Sequence, residues 1–294
     1  MSSVGKVGKI ALGTVQFGTE YGVANQTGKV PVDVVAQILG HARSSGVSTL
    51  DTAVAYGESQ RVLGQNGVEG FSIVTKLPEM PPQADIQAWV QAQLSSSLEL
   101  LQVEHVDGLL LHRPEQLLQS SGQALYEALT SLKQQGLVKR IGVSVYGPQE
   151  LDLLCESYHF DLVQAPFSVL DQRLKRSGWL QRLQQQGTAL HVRSVFLQGL
   201  LLMTVTNRPT KFSRWNALWN EWEHWLSQTG QTALEACLRF AVNTPEIEKV
   251  VVGVDSLRHL EEILQAADGN TPVLPNTLLT DDSQLINPSM WSSL

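Results

Sequence analysis

Short apolar runs recur along this chain, and each is followed by an amphipathic stretch. The runs at 10–14, 49–51, 73–76, 106–112, 140–143, 162–165, 190–195 and 250–253 predict strands. The stretches at about 32–45, 59–65, 85–101, 122–135, 148–156, 173–186, 232–243 and 257–267 predict helices. Within 85–101, Ile86, Trp89, Val90, Leu94, Leu98 and Leu101 fall on one face of a 3.6-residue period. Gly136 then supplies a stop, and Leu137 begins the return to the sheet. Strand followed by helix, about eight times over, predicts a parallel sheet with its helices outside. Eight such units in 294 residues fit an α/β fold of the closed (β/α)8 TIM-barrel type. No Pro/Ser-rich linker divides the chain, so residues 1–294 read as one domain.

Two segments lie outside the repeat. Trp215, Trp219, Trp222 and Trp225 are spaced four, three and three, which is a helical stripe. It reads first as a helix buried against the barrel, and otherwise as a partner contact or a substrate wall. The tail, 269–294, is loop-rich, with Pro272, Pro275 and Pro288. It is either a terminal wrap or a cover near the active-site mouth.

Composition narrows the function by exclusion. The net charge is −7, without a long basic run or a basic-aromatic interleave, so nucleic acid is not an expected partner. No run of about 18 apolar residues marks a membrane span. The N-terminal MSSVGKVGK lacks the apolar core of a signal peptide, so a soluble cytoplasmic protein is expected. The two cysteines, Cys155 and Cys237, lie in apolar contexts and read as reduced buried thiols. No Cys/His spacing suits zinc, the histidines form no close pair, and no metal is expected.

The strand ends carry the candidate chemistry, because barrel enzymes place reactive groups there. The second strand ends at Asp51, with Tyr56 in the loop beyond; the third ends at Lys76 and the fourth at His112. Each has an ordinary structural reading: a cap, a snorkelling lysine, a satisfied histidine, a packed aromatic. Their placement on three consecutive strands favours a shared role. A free phenol, with a pKa of about 10, donates a proton poorly at neutral pH. A nearby ammonium favours the ionised form. Lys76 can supply that ammonium, Asp51 can fix it, and His112 can orient a substrate oxygen. Tyr56 would then pass a proton to a carbonyl oxygen, or take one from an alcohol in the reverse direction.

These residues give the chain a resemblance to the aldo-keto reductases. The matching segments include LGTVQFG at 12–18, LDTAVAYGESQRVLG at 50–64, TK at 75–76, LLLHRP at 109–114, KRIGVSVY at 139–146, VQAPFSVLD at 163–171, RSVFLQGLL at 193–201 and VVGVDSLRHLEEI at 252–263. They span nearly the whole chain in the family's order, and the DTAxxYG segment with the later Lys and His is the specific part. The resemblance implies Asp51, Tyr56, Lys76 and His112 as the catalytic four. It implies a nicotinamide cofactor, with Gly13, Thr14 and Asp51 at its floor and Ser144 and Gln164 at the nicotinamide amide. Ser194, Phe196, Leu197, Gln198 and Gly199 would follow the pyrophosphate. Gly253, Val254, Asp255, Ser256, His259 and Glu262 would hold the adenosine half, helped by the N-terminus of the last helix.

Three departures bear on the cofactor. Val145 follows Ser144 where the family often has Asn, which removes an amide contact. Asp255 stands where relatives place Arg or Lys for the 2′-phosphate, with Arg258 a turn away as a compensating cation. The resemblance implies NADP(H) as the cofactor, and Asp255 weakens its preference over NAD(H), which is kept open. Ile263 stands where relatives commonly have an adenine-binding Asn.

The expected partner is a small carbonyl compound, with the chain a monomer or a weak homo-oligomer. Phe17, Tyr21 and Arg113, with Tyr56 and His112, are the expected substrate contacts; Tyr146, Phe167 and Trp291 are further wall candidates. Such walls suit a sugar ring or an apolar aldehyde, and Arg113 hints at an anionic or polyhydroxylated one. The alternatives are a cofactor-sensing subunit of a larger assembly, using the tryptophan stripe as a partner surface, and a Schiff-base lysine. Asp51 argues against the Schiff base, because a paired lysine keeps its proton.

Overall fold

The computed structural model describes residues 3–25 and 27–294. Eight parallel strands pair in chain order and close on themselves. They are β1 (Ile10–Gly13), β2 (Thr49–Asp51), β3 (Ser72–Leu77), β4 (Val106–Leu111), β5 (Val138–Ser144), β6 (Leu162–Pro166), β7 (Ala189–Arg193) and β8 (Lys249–Gly253). The register aligns Gly13 with both Asp51 and Gly253, so β1, β2 and β8 end level with one another. Val74 and Lys76 share a face of β3, and Lys76 pairs with Leu110 of β4. Val74, Leu110 and Leu162 form a small apolar cluster of their own, separate from the main core between sheet and helices.

The expected helices form with ends shifted by a residue or two. The stretch at 173–186 instead makes two helices, Arg173–Arg176 and Trp179–Gln185, because Gly178 takes a left-handed φ of 80° between them. The seventh strand stops at Arg193 rather than 195, because the chain turns at Ser194 with φ 63°. Local caps agree with the boundaries. Asp85 accepts from the backbone N–H of Ala88, and Thr232 with Glu235 completes a capping box at Ala233–Val242.

Three of the four stripe tryptophans face inward, and Trp215 is half-buried. Trp219, Trp222 and Trp225 of the helix Asn216–Thr229 are buried. Their indole N–H groups donate to the carbonyls of Phe212, Leu201 and Val273 at 2.9, 3.2 and 3.1 Å. The helix thereby ties the chain after β7 to the C-terminal tail. In that tail Trp291 is buried against Phe212, edge to face at 4.8 Å, and is not a substrate wall. Pro288 and Ser289 reach the cleft described next. Cys237 is buried and unpaired, and burial pushes its thiol pKa up. No helix among the described residues is long and apolar enough to cross a membrane.

Candidate active site

A cleft of about 760 Å³ opens where the C-terminal ends of the strands meet. Asp51, which lines it, is half of a buried ion pair. Lys76 Nζ donates to Asp51 Oδ1 at 2.7 Å and to the Thr52 carbonyl at 3.0 Å, with both side chains out of solvent (0% and 4% exposed). The same amine lies 3.4 Å from the Tyr56 hydroxyl. Burial works against the charge on Lys76. Asp51 and Tyr56, by charge and hydrogen bond, outweigh that and hold the amine above its ordinary pKa. Asp51 spends its second oxygen on the Gln164 amide, which donates at 2.6 Å. The carboxylate is therefore fixed from two sides.

Tyr56 is set in place by close backbone approach. A Cβ on Gly18 would meet the Tyr56 carbonyl oxygen at 1.8 Å, and one on Gly57 would meet the Gly18 carbonyl oxygen at 2.8 Å. Gly57 also has a left-handed φ of 56°. Below this turn, Ser59 Oγ donates to the Thr14 carbonyl at 2.9 Å and lies within hydrogen-bond distance of the Thr14 and Thr52 hydroxyls. Thr14 in turn donates to the Asp51 carbonyl at 2.9 Å. The buried hydroxyls lock the ends of β1 and β2 to the helix Ser59–Asn66.

His112 follows β4, its N–H held by the Leu77 carbonyl at 3.0 Å. Its ring meets the Tyr56 ring edge to face, centroids 6.0 Å apart. Burial, then the charges of Lys76 and Arg193, push its pKa from 6.5 down to about 4. At neutral pH the imidazole is uncharged and carries one N–H to donate. Phenol, ammonium, carboxylate and imidazole therefore gather at one place, as their strand positions predict.

The expected cofactor residues divide between those that line the cleft and those that support it. Gly13, Thr14 and Asp51 line its floor, and Ser194, Phe196, Gln198 and Gly199 line the wall after β7. Gly253, Asp255, His259 and Glu262 line the far end. Ser144 and Gln164 are buried beneath the floor, while Leu197 and Val254 turn into the core. Ser256 caps the helix Leu257–Ala266, accepting from the His259 N–H at 3.2 Å.

Several features fit a dinucleotide. Gln16 Oε1, Gln164 Oε1 and Asp255 Oδ1 are buried acceptors without a partner among the described residues. Ser194, Leu197 and Gln198 have φ of 63°, 46° and 54°, a cluster of strained backbone of the kind that collects at ligand sites. Arg258 does not compensate for Asp255. Its side chain is 83% exposed and paired with Glu262 at 2.8 Å. Asp255 instead has His259 as its one ion-pair partner among the described residues, 4.0 Å away, and burial pushes its carboxyl pKa up.

Two expected substrate contacts are displaced. Phe17 is fully buried, because the chain coils at Val15–Gly18 and turns that ring into the core. Arg113 follows His112 but points to solvent, outside the cleft. Tyr21 does reach the cleft, and its hydroxyl accepts from Gln198 Nε2 at 3.0 Å. The loop after β1 thereby leans across to the loop after β7. Sequence reasoning missed Gln16 and Arg193, which both line the cleft. Both lie inside the quoted motifs, so position three residues past a strand for Gln16, or at its last residue for Arg193, was the available signal.

The chain matches the family model described as the aldo/keto reductase family over residues 9–272, and it belongs to that family. It is an oxidoreductase of a family that uses nicotinamide cofactors. It is 21% identical over 283 residues to the uncharacterized oxidoreductase YqkF of Bacillus subtilis, covering 89% of this chain and 88% of that one. It is 24% identical over 207 residues to L-glyceraldehyde 3-phosphate reductase of Escherichia coli O157:H7, covering 62% of this chain and 59% of that one. Among solved structures, the aldo-keto reductase AKR11C1 of Bacillus halodurans in its holo form superposes with a TM-score of 0.70 at 18% identity, covering 90% and 88% of the two chains. The glycerol dehydrogenase AKR11B4 of Gluconobacter oxydans gives 0.68 at 18%, with the same coverage.

Proposed function

We propose that this chain reduces an aldehyde or ketone to an alcohol, reversibly, with NAD(P)H and with Tyr56 as proton donor. The observation that carries the reading is the contact of the Lys76 amine with both the Asp51 carboxylate and the Tyr56 hydroxyl. The bound cofactor supplies the hydride. Tyr56 gives its phenolic proton to the carbonyl oxygen, and the Lys76 ammonium stabilises the phenolate left behind. Asp51 and Gln164 keep that ammonium from drifting. Neutral His112 donates its N–H to the same carbonyl oxygen and sets its direction. In the reverse reaction the phenolate accepts the alcohol proton.

The cleft also suggests how the cofactor is held. Gln164 Oε1, unpartnered below the floor, suits the N–H of a carboxamide. Asp255 suits a free ribose hydroxyl better than a 2′-phosphate, because two anions would meet there. The preference for NADP(H) over NAD(H) is accordingly weak. The substrate is a small carbonyl compound; the relative named for L-glyceraldehyde 3-phosphate supports an aldehyde of sugar type. Three of the four stripe tryptophans face inward and only Trp215 is half-buried, so the sensing-subunit alternative loses most of the feature that suggested it.

Tyr56→Phe tests the proposal. The ring packing survives, so NADPH should bind with nearly unchanged affinity while aldehyde turnover falls at least about a hundredfold, the contribution of a positioned acid. A Phe variant that keeps most of its turnover would remove Tyr56 from the role.

A further inference from the structure

Gln164 and His191 are register partners on the neighbouring strands β6 and β7. Both side chains point into the barrel. Successive strand residues alternate faces, and the residues two positions away set the inward face: Leu162 and Ala189 in the small interior apolar cluster, and Arg193 at the cleft. Both residues are 0% exposed. Gln164 reaches toward the mouth, its Nε2 donating to Asp51 Oδ2 at 2.6 Å, which leaves Oε1 without a partner among the described residues. His191 reaches toward the opposite end, its Nε2 donating to Glu248 Oε1 at 3.0 Å, which leaves Nδ1 without one. Buried polar atoms of this kind are costly unless something satisfies them.

The protons decide what fits between the two. A carboxylate only accepts, so the His191 nitrogen facing Glu248 carries a proton, and Nδ1 of the neutral ring is a bare lone pair. The acids at this end already have cations other than His191. Arg140 pairs with both Glu248 and Asp107, and Lys249, the register partner of His191 on β8, donates to the Gly8 carbonyl at 2.6 Å. Gln164 Oε1 is an acceptor as well, because its amide nitrogen is committed to Asp51. Two acceptors cannot bond one another, but a water molecule can donate one hydrogen to each. Side-chain bulk near His191 is low: Ala189, the next inward position on β7, and Ala11, beyond β8 on β1, carry only a methyl group. The amide oxygen keeps a second lone pair for the cofactor carboxamide.

We propose that His191 is a positioning residue for the reaction, acting through a buried water that joins its Nδ1 to Gln164 Oε1. The water holds the Gln164 amide in the orientation that serves Asp51, and Asp51 holds the Lys76 ammonium beside Tyr56. The proton donor is thereby braced from the far end of the barrel. The positioning role rests on the carbonyl-reductase reading; the water itself does not.

Crystal structures of the wild type, His191→Asn and His191→Leu test this, together with pH profiles for reduction of glyceraldehyde and 4-nitrobenzaldehyde at saturating NADPH. The wild type should hold a water within about 3.2 Å of both atoms. Asn keeps an acceptor where Nδ1 stood and should keep the water, whereas Leu should lose it. Both variants lose the bond to Glu248, so a purely structural role would change them alike. The readout that separates them is the high-pH limb of kcat/KM, where Tyr56 loses its proton. Tyr56 is faced by Lys76 and Asp51 at the strand ends, by His112 after β4, and across the cleft by Tyr21 and Arg193. In His191→Leu, Asp51 loses a fixed donor, pulls harder on the Lys76 ammonium and leaves the phenol less acidic. The limb should move up by about half a pH unit or more, about threefold in the ionisation constant, while His191→Asn stays with the wild type. A wild-type structure with Nδ1 bonded directly to Gln164, or with no water joining the two, would overturn the inference. So would identical profiles in the two variants. Failure of the wild type to reduce either aldehyde would overturn the reductase reading and the positioning role with it, and the structures would still decide the water.

Discussion

Lys76 Nζ and Asp51 Oδ1 meet at 2.7 Å inside the barrel mouth, with almost no solvent at either side chain. A buried pair of this kind stabilises little in net terms, but breaking it leaves an uncompensated charge. Lys76→Met should therefore cost about 3–5 kcal/mol of stability. Asp51→Asn/Lys76→Met should cost much less than the two single changes summed. Urea denaturation of the four proteins at pH 7 measures the coupling, and strictly additive losses would mean the pair is not a unit. Both single variants should lose turnover, because the ammonium beside Tyr56 is removed in one and released from its anchor in the other.

His112 gives a pH prediction with a definite sign. Its folded pKa is about 4, below the unfolded value of 6.5. The unfolded chain therefore takes up the proton first as pH falls. The stability linked to this group is fully present above pH 6.5 and is lost progressively down to about pH 4. Replacing His112 by Asn should make the denaturation midpoint less sensitive to pH across that window. An identical slope in the two proteins would contradict the depressed value.

Asp255 should set cofactor choice. The wild-type bias in kcat/KM for NADPH over NADH should stay below about a thousandfold, because one carboxylate opposing one phosphate offsets a few kcal/mol of other contacts. Asp255→Ser should raise the bias toward NADPH by removing that repulsion. A wild-type bias beyond a thousandfold would show that Asp255 does not face the 2′ position.

At the opposite end of the barrel, Glu248 accepts from Arg140 at 2.8 Å and from His191 at 3.0 Å. The His191 hydrogen bond, then Arg140, hold its pKa down at about 2 against a reference of 4.5. Its stability contribution is present above pH 4.5 and is lost as pH falls toward 2. Glu248→Gln should lower the melting temperature at pH 7 and match the wild type near pH 2. Turnover at pH 7 should be retained, since this end of the barrel lies away from the cleft.

Three of the four central residues were legible because each interrupts an apolar run at its C-terminal end. Asp51 and Lys76 end or nearly end their strands, and His112 follows one directly. Parallel closure then brings such positions to one mouth, whatever the details of the loops. Tyr56 was legible for a related reason: the glycine beside it marks a turn that needs close backbone approach, met here by Gly18. Phe17 and Arg113 were misplaced because loop direction sets where a side chain points, and residue type does not. A single coil at Val15–Gly18 sends Phe17 into the core, and Arg113 leaves the mouth one residue after His112 enters it.

The tryptophan stripe shows the same division. Spacing announced a helix with one aromatic face, but not whether that face met the barrel or a partner. Only the packed structure turns it inward, with each buried indole bonded to a backbone carbonyl.

By itself, then, the sequence determined the barrel, its eight strands and the four groups at its mouth, because periodicity and strand-end position are local properties of the chain. The tertiary structure decided which loop side chains face the cleft, which charges are already paired, and which acceptors are left for a ligand. Those depend on contacts between segments far apart in the sequence, and no local pattern encodes them.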